Sequence, residues 1–186
     1  TQPILGYSDA EHLRPILNTA SSYDPKNPYA NRDPRFYASV YYNGTIRYLD
    51  QPNGDVVETY VGGNCGISDK VTDIRYTRTG YYMRKFNNFK SGIGQDEDGL
   101  MRIFRLAELY LNFAEAAYQA VGPDGQVASK VGAEALSARD AVNKIRVRAG
   151  IPALSSGMSK DSFEKRYRNE RRVELAFEDL RLADLY

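Results

Sequence analysis

The chain has 186 residues and a formal net charge of +1, with one His (His12), one Cys (Cys65) and no Trp. The single Cys excludes an internal disulfide and a Cys-rich zinc site, and a single His leaves little material for His-dependent chemistry. The near-zero charge argues against nucleic acid as a partner, because such binding depends on concentrated positive charge. The length suits about one domain. We therefore expect neither a cofactor nor a metal site.

The two ends of the chain are unusual for a natural domain. Thr1 is not followed by the basic and apolar regions of a signal peptide, and Tyr186 ends the chain inside a strong helical pattern. We therefore expect the chain to be part of a longer protein, whose remaining residues carry any targeting signal.

Composition changes near residue 100 and divides the chain into two regions. Residues 1–100 hold six of the eight Pro, ten of the fifteen Gly and eleven of the fifteen Tyr. Residues 101–149 hold eleven Ala. Pro and Gly favour turns, whereas Ala favours helices. We therefore predict a loop-rich region over 1–100 and a helical region over 101–186, both within one domain.

Within the loop-rich region, residues 22–35 are rich in the Pro, Asn and Asp residues that form turns. Residues 36–42 are aromatic and β-branched, which favours a strand. Asn43-Gly44 is typical of a hairpin turn, so residues 45–49 are predicted to return as the second strand. The acidic run at 96–98 lacks the twelve-residue spacing of a calcium loop, and a solvated loop is the better interpretation.

In the helical region, apolar spacing predicts helices over 101–120, 133–149 and 160–186. The first helix has apolar residues on two opposite faces, so we expect it to pack on both sides. Gly150 and Pro152 stop the second helix, and Ser159 caps the third. The predicted fold class is therefore mainly α, with three C-terminal helices after a region of short β-hairpins.

Several charged residues share these predicted buried faces. Because buried charges must be paired, we predict structural ion pairs between neighbouring helices; the residues involved are Glu108, Glu115, Glu170, Arg146, Arg148, Arg171 and Arg172. Two carboxylates seven residues apart on one helix also fit an acid–base pair or a metal site. The His residues that usually complete helix-bundle metal sites are absent, which favours the structural interpretation.

Five ordered blocks resemble the SusD/RagB family. They are Asn27–Phe36 (NPYANRDPRF), Thr79–Lys85 (TGYYMRK), Arg105–Ala117 (RLAELYLNFAEAA), Val142–Gly150 (VNKIRVRAG) and Asn169–Glu178 (NERRVELAFE). The resemblance covers most of residues 22–186. Asp179 departs from it, because the family usually has Gly at that position. We expect Asp179 to be tolerated inside the third helix, since Gly is the poorer helix former.

The resemblance implies the C-terminal part of a larger, mainly helical SusD-like protein with tetratricopeptide-like helix packing. Such proteins are non-catalytic, lipid-anchored at the surface of the outer membrane, and capture glycans or sometimes peptides. They act with a SusC-like TonB-dependent transporter. The lipid anchor and the N-terminal remainder of the protein, which is expected to pack on this chain, would lie outside these residues.

The residues themselves offer a sugar-binding surface in the loop-rich region. A pyranose needs flat apolar faces with polar groups nearby, and Tyr supplies both. Tyr41, Tyr42 and Tyr48, which flank the predicted hairpin turn, are the candidate ligand contacts. Tyr is also common in half-buried irregular structure, so simple packing is the competing interpretation. Two alternatives to a binding protein remain: a helical-repeat scaffold for protein partners, and a glycosidase with paired carboxylates.

Overall fold

The computed structural model describes residues 4–7, 15–17, 22–47, 54–66, 76–88, 103–128, 134–180 and 184. In this part of the chain, helices are the main regular structure and the strands are short antiparallel pairs. The helices are α1 (Pro34–Ser39), α2 (Leu106–Val121), α3 (Ala138–Arg148) and α4 (Lys160–Glu174). The strands are β1 (Ile4–Tyr7), β2 (Pro15–Leu17), β3 (Val40–Tyr41), β4 (Tyr82–Met83), β5 (Gln126–Val127) and β6 (Leu136–Ser137).

Each strand pairs with one partner. Strand β1 pairs with β2, with Ile4 opposite Leu17 and a shift in register before Gly6. Strand β3 pairs with β4, and β5 pairs with β6. The β3–β4 pair joins parts of the loop-rich region that are about forty residues apart, with Val40 opposite Met83.

The predicted hairpin over 36–42 and 45–49 is wrong. Asp33 caps a short helix instead, because its side chain accepts a hydrogen bond from the Arg35 backbone N–H at 2.9 Å, and a Pro follows it at the first helical position. A turn does form at Asn43-Gly44, closed by Thr45 N–H to Tyr42 O at 3.1 Å. The chain leaving that turn forms only an isolated bridge, between Ile46 and Val56.

The main core lies among α2, α3 and α4. Leu111 and Ala114 of α2, Val142 of α3 and Phe163 of α4 are fully buried, with Tyr118 and Tyr167 packed between them. A smaller core in the loop-rich region contains Tyr41, Val57 and Cys65, with Tyr82 against it. The main core thus consists of residues from the helical region and the smaller core of residues from the loop-rich region.

Helix α3 is shorter than the predicted 133–149, because Leu136–Ser137 pairs with β5 before the helix begins. Ser137 then caps α3, its Oγ accepting from the Asp140 N–H at 3.1 Å. Helix α2 begins at Leu106 rather than near residue 101. The Ser159 cap of α4 is present, with Ser162 N–H donating to Ser159 Oγ at 3.2 Å.

Helix α4 ends at Glu174, well before the predicted end at residue 186. Lys85 Nζ accounts for this end, because it donates to the backbone carbonyls of Glu174 and Ala176 at 2.9 and 3.0 Å. Phe177 and Asp179 then adopt positive φ values of 65° and 57°. Asp179 is therefore not inside a helix, and its left-handed backbone explains why Gly suits that position.

Helix α2 packs on one side rather than two among the described residues. Ala107, Leu111 and Ala114 are buried, whereas Leu106 and Leu109 on the other side are 62% and 49% exposed. The preceding Ile103 is also exposed. The expectation of packing on both sides is thus not met by this part of the chain.

Candidate functional site

A dense group of ionised side chains lies where α1, α3 and α4 approach one another. We call it the charged cluster; its members are Asp33, Arg35, Lys85, Arg105, Arg146, Arg148, Glu170, Glu174 and Glu178. Glu170 and Glu174 are only 1% and 4% exposed. Such burial is tolerable because each of their carboxylates is neutralised by more than one cation.

Glu170 receives one cation on each oxygen. Arg35 Nη1 donates to its Oε1 at 2.5 Å, and Arg146 Nη1 donates to its Oε2 at 2.6 Å. Glu174 is bound by Arg35 at 2.9 Å, by Arg105 at 2.6 Å and by Arg148. Each oxygen of both carboxylates therefore accepts at least one hydrogen bond from an Arg side chain.

Glu178 closes the cluster on the side of the loop-rich region. Its Oε1 accepts from Lys85 Nζ at 2.5 Å, and Arg105 Nε reaches both carboxylate oxygens at 3.0 and 2.9 Å. Burial alone raises the pKa of Glu178 and of Glu174, but the hydrogen bonds from Arg105 and the other cations outweigh it and lower both pKa values. Burial lowers the pKa of Lys85 despite its pairing with Glu178.

All five blocks that resemble the SusD/RagB family contribute to this cluster. The first two supply Asp33, Arg35 and Lys85; Arg105 begins the third; the last two supply the remaining members. The blocks therefore contain the residues that join the loop-rich region to the helices. Because these groups satisfy one another, we interpret the cluster as a structural junction and not as a ligand site.

Four of the seven residues predicted to form ion pairs have a charged partner in the structure. Arg146, Arg148 and Glu170 lie in the charged cluster, and Arg171 Nε pairs with Asp184 Oδ1 at 2.8 Å.

Three of these residues have other surroundings. Glu115 accepts a hydrogen bond from Tyr167 Oη at 3.0 Å instead of pairing with an Arg. Burial raises the pKa of Tyr167, which keeps that hydroxyl protonated. Arg172 is exposed and donates to Asn169 Oδ1 at 3.2 Å. Glu108 has no ion pair with any other described residue. Interhelical pairing is therefore concentrated at α4, around Glu170 and Glu174.

A second group lies in the loop-rich region and consists of aromatic rings. We call it the aromatic cluster: Tyr29, Phe36, Tyr37, Tyr42 and Tyr81. Tyr42 stacks on Tyr29 with ring centroids 4.4 Å apart and on Phe36 at 5.3 Å. Tyr81 meets both Tyr29 and Phe36 edge-on, at 6.2 Å. All five residues are half-buried, so the cluster lies partly at the surface of the described chain.

Hydrogen bonds hold the aromatic cluster in place. Tyr37 Oη donates to Tyr29 O at 2.7 Å and accepts from the Arg32 N–H at 3.2 Å. The Arg32 guanidinium lies over the Phe36 ring, 4.7 Å from its centroid. A rigid set of rings edged by polar groups suits the apolar face of a pyranose.

The candidate tyrosines have three different outcomes. Tyr42 is in the aromatic cluster and stays a candidate ligand contact. Tyr41 is only 5% exposed and packs in the smaller core, with Arg84 over its ring at 5.5 Å, so it is unsuited to contact a ligand. Tyr41 ends β3 and pairs with Tyr82, whereas Tyr42 begins the turn at Asn43-Gly44, which accounts for the difference. Tyr48 lies outside the described residues.

Sequence reasoning missed Tyr29 and Phe36 as partners of Tyr42. Phe36 was placed on a strand, whereas helix α1 turns it towards Tyr42. The Asp33-Pro34 pair, a helix cap followed by Pro, was the available signal.

Two further properties concern the described residues alone. No helix there is sufficiently long and apolar to cross a lipid bilayer. No three His, Cys, Asp or Glu side chains there converge in a way that would hold a metal ion. The acidic run at 96–98 lies outside the described residues.

Comparisons with known proteins place the chain in a family. The SusD family profile matches residues 16–186. A SusD-like protein from Bacteroides fragilis NCTC 9343 aligns over 86% of this chain and 28% of its own, with 30% identity and a TM-score of 0.67. A SusD-like carbohydrate binding protein from the same organism aligns over 92% of this chain and 32% of its own, with 25% identity and a TM-score of 0.66.

A search of curated proteins finds no match. The chain spans less than a third of the length of each of these two solved structures. Its profile match nevertheless covers most of its residues, in agreement with the five sequence blocks and the structural likeness. The chain belongs to the SusD family.

Proposed function

We propose that the protein containing this chain binds carbohydrate at the cell surface without transforming it. The aromatic cluster carries the proposal, because it offers stacked, partly exposed rings with polar groups at their edge. Family membership and the similarity to a SusD-like carbohydrate binding protein support it. A glycan is therefore the ligand class, with a peptide as the less favoured nutrient.

The carboxylates argue for binding without turnover. A glycosidase needs two carboxyl groups in an open site, one able to donate a proton. The buried carboxylates Glu170 and Glu174 instead accept strong hydrogen bonds from Arg side chains. Those bonds hold the pKa of Glu174 below its ordinary value, which is the opposite of what a general acid needs.

Family membership also supports a proposal about where the protein lies and which partner it serves. The protein would be held at the outer membrane by a lipid anchor and would deliver its ligand to a SusC-like TonB-dependent transporter. Purification of the tagged full-length protein from native outer membranes should then recover a TonB-dependent transporter in a stable complex. Recovery of the protein from the soluble fraction alone would contradict this part.

The binding itself is tested with the full-length protein and a panel of plant, host and storage polysaccharides in affinity gel electrophoresis. We expect retardation by at least one class, and chromatography of the incubated sugar should show no shorter products. A panel without any retardation would contradict carbohydrate binding. Release of shorter oligosaccharides would contradict the absence of catalysis.

One observation favours a scaffold for protein partners as a second candidate. The outer side of α2 exposes Leu106 and Leu109, and the preceding Phe104 is 60% exposed. Apolar residues grouped in this way are typical of protein contacts. A scaffold would keep its partner complex when Tyr42 is changed to Ala, and would bind no member of the polysaccharide panel.

A further inference from the structure

The half-buried cations of the described residues divide into two classes. Seven of the nine form ion pairs with carboxylates: Arg35, Arg47, Lys85, Arg105, Arg139, Arg146 and Arg171. Two have no carboxylate partner within the described part of the chain, namely Arg32 and Arg84. The Arg32 guanidinium lies over Phe36 of the aromatic cluster, whereas the Arg84 guanidinium lies over Tyr41 of the smaller core. Arg32 is therefore the one of these two cations that stacks on a ring of the aromatic cluster.

The Arg32 guanidinium is held in place, but most of its N–H donors have no acceptor among the described residues. Its Nη1 donates to Pro28 O at 3.0 Å, and its guanidinium lies over Phe36 at 4.7 Å and over Tyr23 at 5.4 Å. A guanidinium carries five N–H donors in a planar fork. Only one side-chain bond from Arg32 is made within the described residues, so other donors remain for a ligand.

Arg84 also has no carboxylate partner among the described residues, but its guanidinium lies over Tyr41 in the smaller core. Its Nη1 donates to the Tyr37 backbone carbonyl at 2.8 Å, while the Arg32 N–H donates to the Tyr37 hydroxyl. The acidic residue next to Arg32 in the sequence, Asp33, pairs with Arg35 at 2.7 Å and not with Arg32. Burying part of a cation without a counter-ion is costly, which makes an anionic ligand the natural complement.

We propose that the carbohydrate bound at the aromatic cluster is acidic, and that Arg32 binds the carboxylate of a uronic acid residue. This inference rests on the proposed function and specifies its ligand class. The sugar ring would lie against the half-buried edge of the aromatic cluster, next to Tyr42. The Arg32 fork would meet the carboxylate, with which it forms paired, charge-assisted hydrogen bonds.

The test uses the full-length protein and three uronate probes: oligogalacturonate, alginate oligosaccharide and unsulfated chondroitin. Each probe is compared with its carboxyl-reduced form, which keeps the sugar chain and removes the charge. We expect at least one probe to bind, and its reduced form to bind about tenfold more weakly, the loss expected for one charge-assisted pair. The affinity for that probe should also fall as the salt concentration rises.

Arg32→Gln should weaken the binding of the acidic probe by a similar factor, about tenfold, and leave the binding of any neutral glycan unchanged. Arg168→Gln is the matched control, because Arg168 is exposed on α4 and distant in sequence from the aromatic cluster. If Arg32→Gln fails to fold by circular dichroism, the comparison of acidic and reduced probes on the natural protein still decides.

Two results would overturn the inference. One is binding of neutral polysaccharides with no uronate probe bound, which leaves the proposed function standing. The other is equal affinity for an acidic probe and its reduced form. The absence of binding to any glycan, neutral or acidic, would overturn the inference and the proposed function together.

Discussion

Arg32 and Arg35 lie three residues apart in one sequence block and do opposite things. Arg35 crosses to α4 and is bound by Asp33, Glu170 and Glu174. Arg32 lies on Phe36 without a carboxylate partner among the described residues. The charged cluster thus satisfies itself and stabilises the fold, whereas the aromatic cluster leaves rings and positive charge available. The difference separates residues that build the protein from those offered to a ligand.

The strongest test of the structural role is removal of Glu174. Glu174→Ala leaves Arg35, Arg105 and Arg148 without their shared acceptor, and breaking a buried pair in this way costs about 3–5 kcal/mol. Denaturant unfolding of the 186-residue chain measures the change. Glu164→Ala is the control, because the partner of Glu164 among the described residues is the exposed Arg168, and such surface pairs contribute about 0–1 kcal/mol. Equal losses for both variants would contradict the assignment.

Two Leu→Ala substitutions on α2, one buried and one exposed, test the main core. Leu111 is fully buried, whereas Leu109 is 49% exposed on the same helix. Leu111→Ala should reduce the free energy of unfolding by about 2–5 kcal/mol through the cavity it leaves. Leu109→Ala should stay within about 0.5 kcal/mol. If Leu109→Ala reduced the free energy of unfolding more than Leu111→Ala, the assignment of the buried side of α2 would be wrong.

Acid should weaken the charged cluster selectively. The pKa values of Asp33, Glu174 and Glu178 are lowered in the folded chain from ordinary values of 3.8 for Asp and 4.5 for Glu. At pH values around and below these ordinary values the unfolded chain binds more protons than the folded chain, so stability falls as the pH decreases.

Unfolding curves recorded between about pH 7 and pH 3 should show this loss begin near pH 5, where carboxylates start to titrate. Glu174→Ala removes one of the three carboxylates, so its stability should fall less steeply with acid. A variant as steep as the natural chain would show that the acid sensitivity arises elsewhere.

Much of the helical region follows from local rules in the sequence. Apolar spacing located α2, α3 and α4, and Ser159 was recognised as a cap. The end of α4 was not predictable in this way, because Lys85 binds its last carbonyls from almost ninety residues earlier. A periodic pattern continues through Phe177, but a tertiary contact ends the helix first, and Phe177 is 49% exposed.

The binding surface was harder to predict than the fold. The sequence makes Tyr41 and Tyr42 equally good candidates. In the structure, Tyr41 is buried beside Val57, whereas Tyr42 stacks on Tyr29. Tyr41 pairs with Tyr82 of β4, which is distant in sequence, whereas Tyr42 lies just beyond the strand. The partners of Glu170 and Glu174 likewise include Arg35, which no helical pattern indicates.

The central claim is that ligand binding depends on the aromatic cluster. It is tested most directly by isothermal titration calorimetry on the full-length protein, with the carbohydrate that the panel identifies. Tyr42→Ala removes a stacked ring and should weaken binding by about tenfold or more. Tyr60→Ala removes a ring that is 54% exposed outside the cluster and should leave the affinity unchanged. Natural affinity in the Tyr42 variant would contradict the claim, whatever the affinity of the Tyr60 variant.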